Sequence, residues 1–189
     1  YMMTRRLITP LVVFALLMAA DAWAGPVTVQ VKGTLEQLID VLNNPALKGQ
    51  ENRKQRDELL HEILKTRFDE EAIARKTLGK YWGKITPEEQ QDFVRLFSAL
   101  LERSYFERID AQLEKSESFS GEDIVYLKET VKGKAAQLTT ALKTGEGNDI
   151  PVIYRLRQVE DDWRVIDLKI EGVILTKNYR AQFRETLSR

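Results

Sequence analysis

The stretch Ile150-Pro151-Val152-Ile153-Tyr154-Arg155-Leu156, followed by Trp163-Arg164-Val165-Ile166-Asp167-Leu168-Lys169-Ile170, decides the fold class. Apolar side chains recur at every second position, the period of a strand with one buried face. Ile150, Val152, Tyr154 and Leu156 fall on one face of the first run, and Ile166, Leu168, Ile170 and Ile174 on one face of the second. Trp163 and Val165 have the opposite parity. Either that strand is covered on both sides or a bulge switches its faces. Working backwards, Ala136, Leu138, Thr140 and Leu142 share a face of an earlier run. Four strands are expected, over Ile124–Val131, Ala135–Lys143, Ile150–Arg157 and Trp163–Leu175. Their connections, Lys132-Gly133, Gly145-Glu146-Gly147-Asn148 and Glu160-Asp161-Asp162, suit antiparallel hairpins. Pro151 lacks an N–H, so its strand is expected at an edge or bent there.

Before Gly121 the period is helical. Val27, Val29 and Val31 alternate and read locally as a strand, but Leu35, Leu38, Ile39 and Leu42 have helical spacing up to Pro45. A second helix over residues 52–67 carries Leu59, Leu60, Ile63 and Leu64. Asp69 caps a short third one, with Ala72, Ile73 and Leu78 inward. Thr86-Pro87-Glu88-Glu89 is a capping box with proline at the first helical position. The helix it opens carries a stripe of Phe93, Leu96, Phe97, Leu100, Leu101, Tyr105 and Ile109. Tyr179, Phe183 and Leu187 mark a last helix. Helices first and strands second predict an α+β domain.

The 189 residues contain 29 basic and 29 acidic side chains and no cysteine. Such a balance does not suit a nucleic-acid binder, which carries a basic excess on one face. Arg5 and Arg6, the apolar run Leu7 to Ala20, and Ala22-Trp23-Ala24 have the order of a cleavable secretory leader. A signal peptide is expected over residues 1–24, a single domain over 25–189, and the periplasm as the compartment.

Catalytic chemistry is sparse. His61-Glu62-Ile63-Leu64-Lys65 opens like a zinc-protease helix, but Lys65 stands where the second histidine is required. His61 therefore reads as a surface or boundary residue, and no metal ligand or catalytic residue is assigned. No G-x-S-x-G elbow is present. Asp167 and Glu171 fall on the less apolar face of their strand with Lys169 between them, which reads as a charge-paired outer surface.

Several segments resemble the MlaC (toluene-tolerance) family. They are Phe68-Asp69-Glu70-Glu71-Ala72-Ile73-Ala74-Arg75, Leu78-Gly79-Lys80-Tyr81-Trp82, and Thr86 to Gln90 with Phe93, Phe97, Leu100, Leu101 and Tyr105. The runs Ile150 to Leu156, Trp163 to Asp167, Ile170-Glu171-Gly172-Val173 and Asn178 to Phe183 complete the likeness, which spans nearly all of residues 25–189. Ile174 departs from it, since the family commonly has serine there. The resemblance implies an NTF2-like cone: a helical N-terminal part packed on a curved four-stranded antiparallel sheet, with a C-terminal helix. It implies a monomeric periplasmic phospholipid carrier with no cofactor. The implied partners are an inner-membrane ABC transporter with an MCE component and an outer-membrane lipoprotein complex.

Such a carrier needs an apolar pocket. Two acyl tails hold roughly 30 methylenes, each favouring burial by about 0.8 kcal/mol, so exposure to water costs on the order of 20 kcal/mol. The tail cavity is expected to be lined by Phe93, Phe97, Leu100, Leu101, Tyr105, Leu138, Val152, Tyr154, Leu168 and Ile170. Tyr81, Trp82 and Arg103 are candidates for its rim, and Leu138→Trp is expected to fill one end. Other readings stay open: a cone-shaped enzyme using Asp167 and Tyr154, a periplasmic chaperone or lipoprotein carrier, or a domain whose core is simply filled.

Overall fold

The computed structural model describes residues 24–113, 120–143 and 149–187. The expected leader (Ala24 apart) and the turn at 145–148 lie outside them, as does the side chain of Ile109. Among the described residues, four α-helices precede the sheet: α1 (Pro26–Asn43), α2 (Arg53–Arg67), α3 (Glu70–Leu78) and α4 (Pro87–Leu113). The strands β1 (Ile124–Lys132), β2 (Ala135–Leu142), β3 (Ile150–Val159), β4 (Asp162–Ile170) and β5 (Val173–Ile174) come next, then α5 (Leu175–Leu187). The fold is α+β, as the order of periods predicts.

Val27 to Val31 is helical, against the local strand reading. Val27 and Val31 lie one turn apart and are both buried, whereas Val29 is 56% exposed. A strand would have put all three on one face. Pro26 suits the first helical position. The remaining free donors are met from β1: the Glu129 carboxylate accepts from the Val27 amide at 3.3 Å and from the Thr28 amide and hydroxyl at 2.8 and 2.6 Å. A cap delivered from about a hundred residues away leaves no local signal.

The other helix starts obey local rules. Asp69 Oδ1 accepts from the Ala72 amide at 3.0 Å. Thr86 and Glu89 close their box reciprocally: the Thr86 amide donates to Glu89 at 2.8 Å and the Glu89 amide to the Thr86 hydroxyl at 3.2 Å. The helix α3 ends at Gly79, whose φ of +56° is left-handed backbone that glycine adopts without steric cost.

The sheet is an antiparallel meander, ordered β1-β2-β3-β4-β5. It has five strands where four were expected, because the predicted run Trp163–Leu175 is broken by a turn at Glu171 and Gly172, both at positive φ. Beyond this turn lies the two-residue β5, paired with the end of β4. Register resolves the parity conflict in β4. Arg155 pairs with Asp167 and Leu156 with Val165, so Ile166 is the extra residue of a bulge. Trp163 and Val165 before it, and Leu168 and Ile170 after it, thereby reach the same face. Pro151 lies in an interior strand, contrary to expectation, but as its second residue, near the end of the ladder.

The helix α1 lies across the sheet and buries Val27 and Val31 against Ala136, Leu138, Leu156, Trp163 and Val165. At one end, Phe97 stacks on Phe93 at 5.4 Å and meets Tyr179 and Phe183 of α5 edge-on at 5.2 and 5.7 Å. At the other, Phe106 packs with Leu42 of α1 and Leu60 of α2.

Candidate functional site

Between these packed regions the helices stand off the sheet and leave a cavity of about 420 Å³. That volume lies within the roughly 300–1,000 Å³ of sites that take small organic ligands. One wall is Val31, Leu35, Leu38, Ile39 and Leu42 of α1, with Leu60 and Leu64 of α2. A second is Phe97, Leu101, Tyr105 and Phe106 of α4. The sheet supplies Val152, Tyr154, Val165, Leu168 and Ile170. The polar contributions are few: Thr34, Arg67, Glu70, Ser98 and Glu102.

Seven of the ten residues expected in the lining meet there: Phe97, Leu101, Tyr105, Val152, Tyr154, Leu168 and Ile170. Three do not. Leu138 shares its face with Tyr154, its partner in register, but α1 covers it completely and it is 0% exposed. Phe93 belongs to the aromatic contact with α5. Leu100 points outward and is 42% exposed. The expected rim is also displaced. Trp82 is buried with Ile73, Ala74, Leu78 and Phe97, and Tyr81 faces the ammonium groups of Lys80 and Lys84 at 5.2 and 5.3 Å from its ring. Arg103 is exposed and paired with Glu107 at 3.0 Å.

The phase of α4 explains the misplacement of Leu100. At about 100° per residue, Leu96 and Leu100 stand about 200° from Ser98 and Glu102 respectively. The cavity takes the side of Phe97, Leu101, Tyr105, Ser98 and Glu102, so one edge of the apolar stripe lines it while Leu96 and Leu100 on the other edge are exposed. The α1 and α2 walls were visible as amphipathic faces, yet nothing in their spacing distinguishes a cavity wall from a packed core.

Two tyrosines packed against the core under α1 hold their phenols protonated, Tyr154 in the cavity lining and Tyr126 outside it. Desolvation pushes the Tyr154 phenol above its ordinary value, and a hydrogen bond with the Thr140 side chain pulls the other way. Tyr126 is pushed up to about 12, first by desolvation and then by Tyr154 and Glu36. Neither is suited to giving up a proton near neutral pH. At one end Arg67 donates to the Thr34 hydroxyl at 3.0 Å and to Gln30 Oε1 and the Trp163 carbonyl at 2.7 Å each, tying α2 to α1 and β4. Desolvation lowers its pKa from the ordinary guanidinium value.

Asp167 corrects the expectation of an outer charged surface. It is 1% exposed. Its carboxylate accepts from Lys76 Nζ of α3 at 3.0 Å, from the Thr176 hydroxyl at 2.9 Å, and from the Thr176 amide at 3.3 Å. It is therefore enclosed, yet still not a cavity residue. Asp167 pairs with Arg155 in register while Tyr154 pairs with Leu168, so Asp167 and Tyr154 occupy opposite faces of the sheet. Nothing joins them into a proton-transfer pair. No helix among the described residues is long and apolar enough to cross a membrane.

A sequence profile for the family described as MlaC protein matches residues 32–189. The chain is 26% identical over 160 residues to the toluene tolerance protein ttg2D of Pseudomonas putida, covering 84% of this chain and 72% of that protein. It is similar in fold to a phospholipid-binding protein from Ralstonia solanacearum, solved in complex with a phospholipid. The TM-score is 0.72 at 21% identity, covering 86% of this chain and 87% of that one.

Proposed function

The chain belongs to the MlaC protein family, and on that premise we propose that it is a periplasmic carrier that holds phospholipid acyl chains in the cavity between its helices and its sheet. The observation that carries the reading is the cavity itself: about 420 Å³ of space bounded almost entirely by Leu, Ile, Val, Phe and Tyr side chains. An apolar hollow of that size is costly to leave empty, because its lining forgoes dispersion contacts. Hydrocarbon is the ligand that restores those contacts without asking for hydrogen bonds. The fold shared with the Ralstonia solanacearum phospholipid-binding protein supports the same reading.

The cavity works by partition and not by reaction. Burial of each methylene contributes about 0.8 kcal/mol, so a lining of this kind offsets much of the cost of removing a lipid from a bilayer. The lining residues assigned to the tails are Phe97, Leu101, Tyr105, Val152, Tyr154, Leu168 and Ile170, joined by the α1 wall at Leu35, Leu38 and Ile39. In this reading the chain passes lipid between an inner-membrane ABC transporter with its MCE component and an outer-membrane lipoprotein complex, acting as a monomer without a cofactor.

The test is native mass spectrometry of the folded protein purified from bacteria without detergent, followed by extraction and lipid analysis. About one phospholipid per chain is expected, and Leu101→Trp, which places an indole in the cavity, lowers that occupancy at unchanged fold. A ligand-free mass that stays unchanged after incubation with phospholipid vesicles overturns the proposal.

A further inference from the structure

We propose that His61, Glu70 and Glu102 form a binding site for one divalent transition-metal ion of the Zn²⁺ class, where the cavity meets the groove between α2 and α4. Each residue comes from a different helix: His61 from α2, Glu70 from the first turn of α3, Glu102 from the middle of α4. One ligand atom from each lies within 4.8 Å of the other two. His61 Nδ1 already stands 2.6 Å from Glu102 Oε1. Glu70 and Glu102 border the apolar cavity, while His61 and Glu102 border the open charged groove outside it. A metal here is reached from solvent and sits against the lipid-facing space.

The donor set suits such an ion. One imidazole and two carboxylates match the nitrogen and oxygen ligands of Zn²⁺, and three protein ligands leave a fourth position open. On the other side of the ring, Nε2 lies 3.9 Å from Glu62 Oε1, beyond hydrogen-bond distance, so that nitrogen stays open to solvent-side partners.

Charge points the same way independently. The His61–Glu102 contact satisfies those two groups but leaves Glu70, which has no hydrogen bond or ion pair among the described residues. A doubly charged cation placed among the three ligand atoms attracts both carboxylates and gives Glu70 the partner it lacks. Sequence spacing conceals the arrangement, because the three residues sit on three helices and form no local motif.

The experiment uses the complete folded chain, stripped with chelator and dialysed, then titrated with CoCl₂ and, separately, ZnCl₂. The expected result is saturable Co²⁺ binding at one equivalent with visible d–d absorption, displaced by Zn²⁺, and a higher Tm of the wild type in Zn²⁺. His61→Ala and Glu70→Gln each weaken binding by about tenfold or more and abolish the Tm rise. Far-UV circular dichroism in chelator establishes that each variant is folded. Glu70→Gln, which alters charge at nearly constant volume, decides the matter if His61→Ala folds poorly. Absence of saturable one-equivalent binding by the wild type overturns the proposal, and so does undiminished binding by folded Glu70→Gln. The readout is the metal itself, so the result stands whether or not the preparation carries lipid.

Discussion

At the scale of single residues, Asp167 is where burial and alternation part company. Period-two counting places it opposite Leu168 and thus outward, and the register agrees that it shares a face with exposed Arg155. It is buried nevertheless, because the start of α5 folds over the last part of β4 and Lys76 reaches in from α3. Removing one partner from an enclosed ion pair leaves the other uncompensated, which typically costs about 3–5 kcal/mol. Asp167→Ala is expected to cost about 3 kcal/mol, since Lys76 retains some solvent access. Urea unfolding measures it, and a change within about 0.5 kcal/mol would mark Asp167 as an ordinary surface residue. Tyr126 makes a different prediction. A phenol whose pKa is raised in the folded state contributes fully below the unfolded value of about 10. That contribution is lost as pH climbs from there towards about 12. The urea midpoint should therefore decline over that interval, and the decline should be shallower in Tyr126→Phe.

At the scale of elements, α1 and α4 show what a one-dimensional pattern omits. The Val27-Val29-Val31 alternation is equally a helical i, i+4 pair with one exposed residue between, and β-branched residues favour the strand reading by propensity. Packing reverses that preference, because Val27 and Val31 fit the sheet while Glu129 fills the empty donors at the helix start. Glu129→Ala should cost about 0.5–2 kcal/mol, the usual effect of losing an N-cap. It should also speed amide exchange in the first turn of α1, which hydrogen-exchange mass spectrometry reads directly. Equal exchange in variant and wild type would show that packing alone holds the turn. In α4 the apolar stripe is real but broad. One side carries the aromatic contact with α5, another the cavity, and Leu96 and Leu100 remain 57% and 42% exposed.

At the scale of the whole molecule, the cavity is a relation between five helices and a sheet, and its predicted behaviour is collective. A ligand that binds the folded chain and not the unfolded one raises stability by mass action. Delipidated protein is expected to melt at a lower temperature than protein as isolated, and added phospholipid should restore the difference. Identical melting curves would indicate a core that needs no ligand. Leu138→Trp, by contrast, should not act through lipid. Leu138 has no free space beside it, so the larger ring overpacks the contact with α1 and costs about 1–3 kcal/mol.

The α+β order, most strand positions, the capping box at Thr86 and the Asp69 cap were legible in the amino-acid order, because each depends on neighbours a few positions apart, and the family was legible from the succession of its motifs along the chain. Seven cavity residues were also legible on their elements, since the inward faces of β3 and β4 and one edge of α4 follow from periodicity. Which apolar faces close on one another and which stand apart was settled only by the assembled fold. It covered Leu138 with α1, turned Leu100 to solvent, carried Glu129 to a distant helix start, and brought His61, Glu70 and Glu102 together from three helices. Periodicity reports which face of an element avoids water. It says nothing about the distance to the surface opposite, and that distance separates a filled core from a cavity.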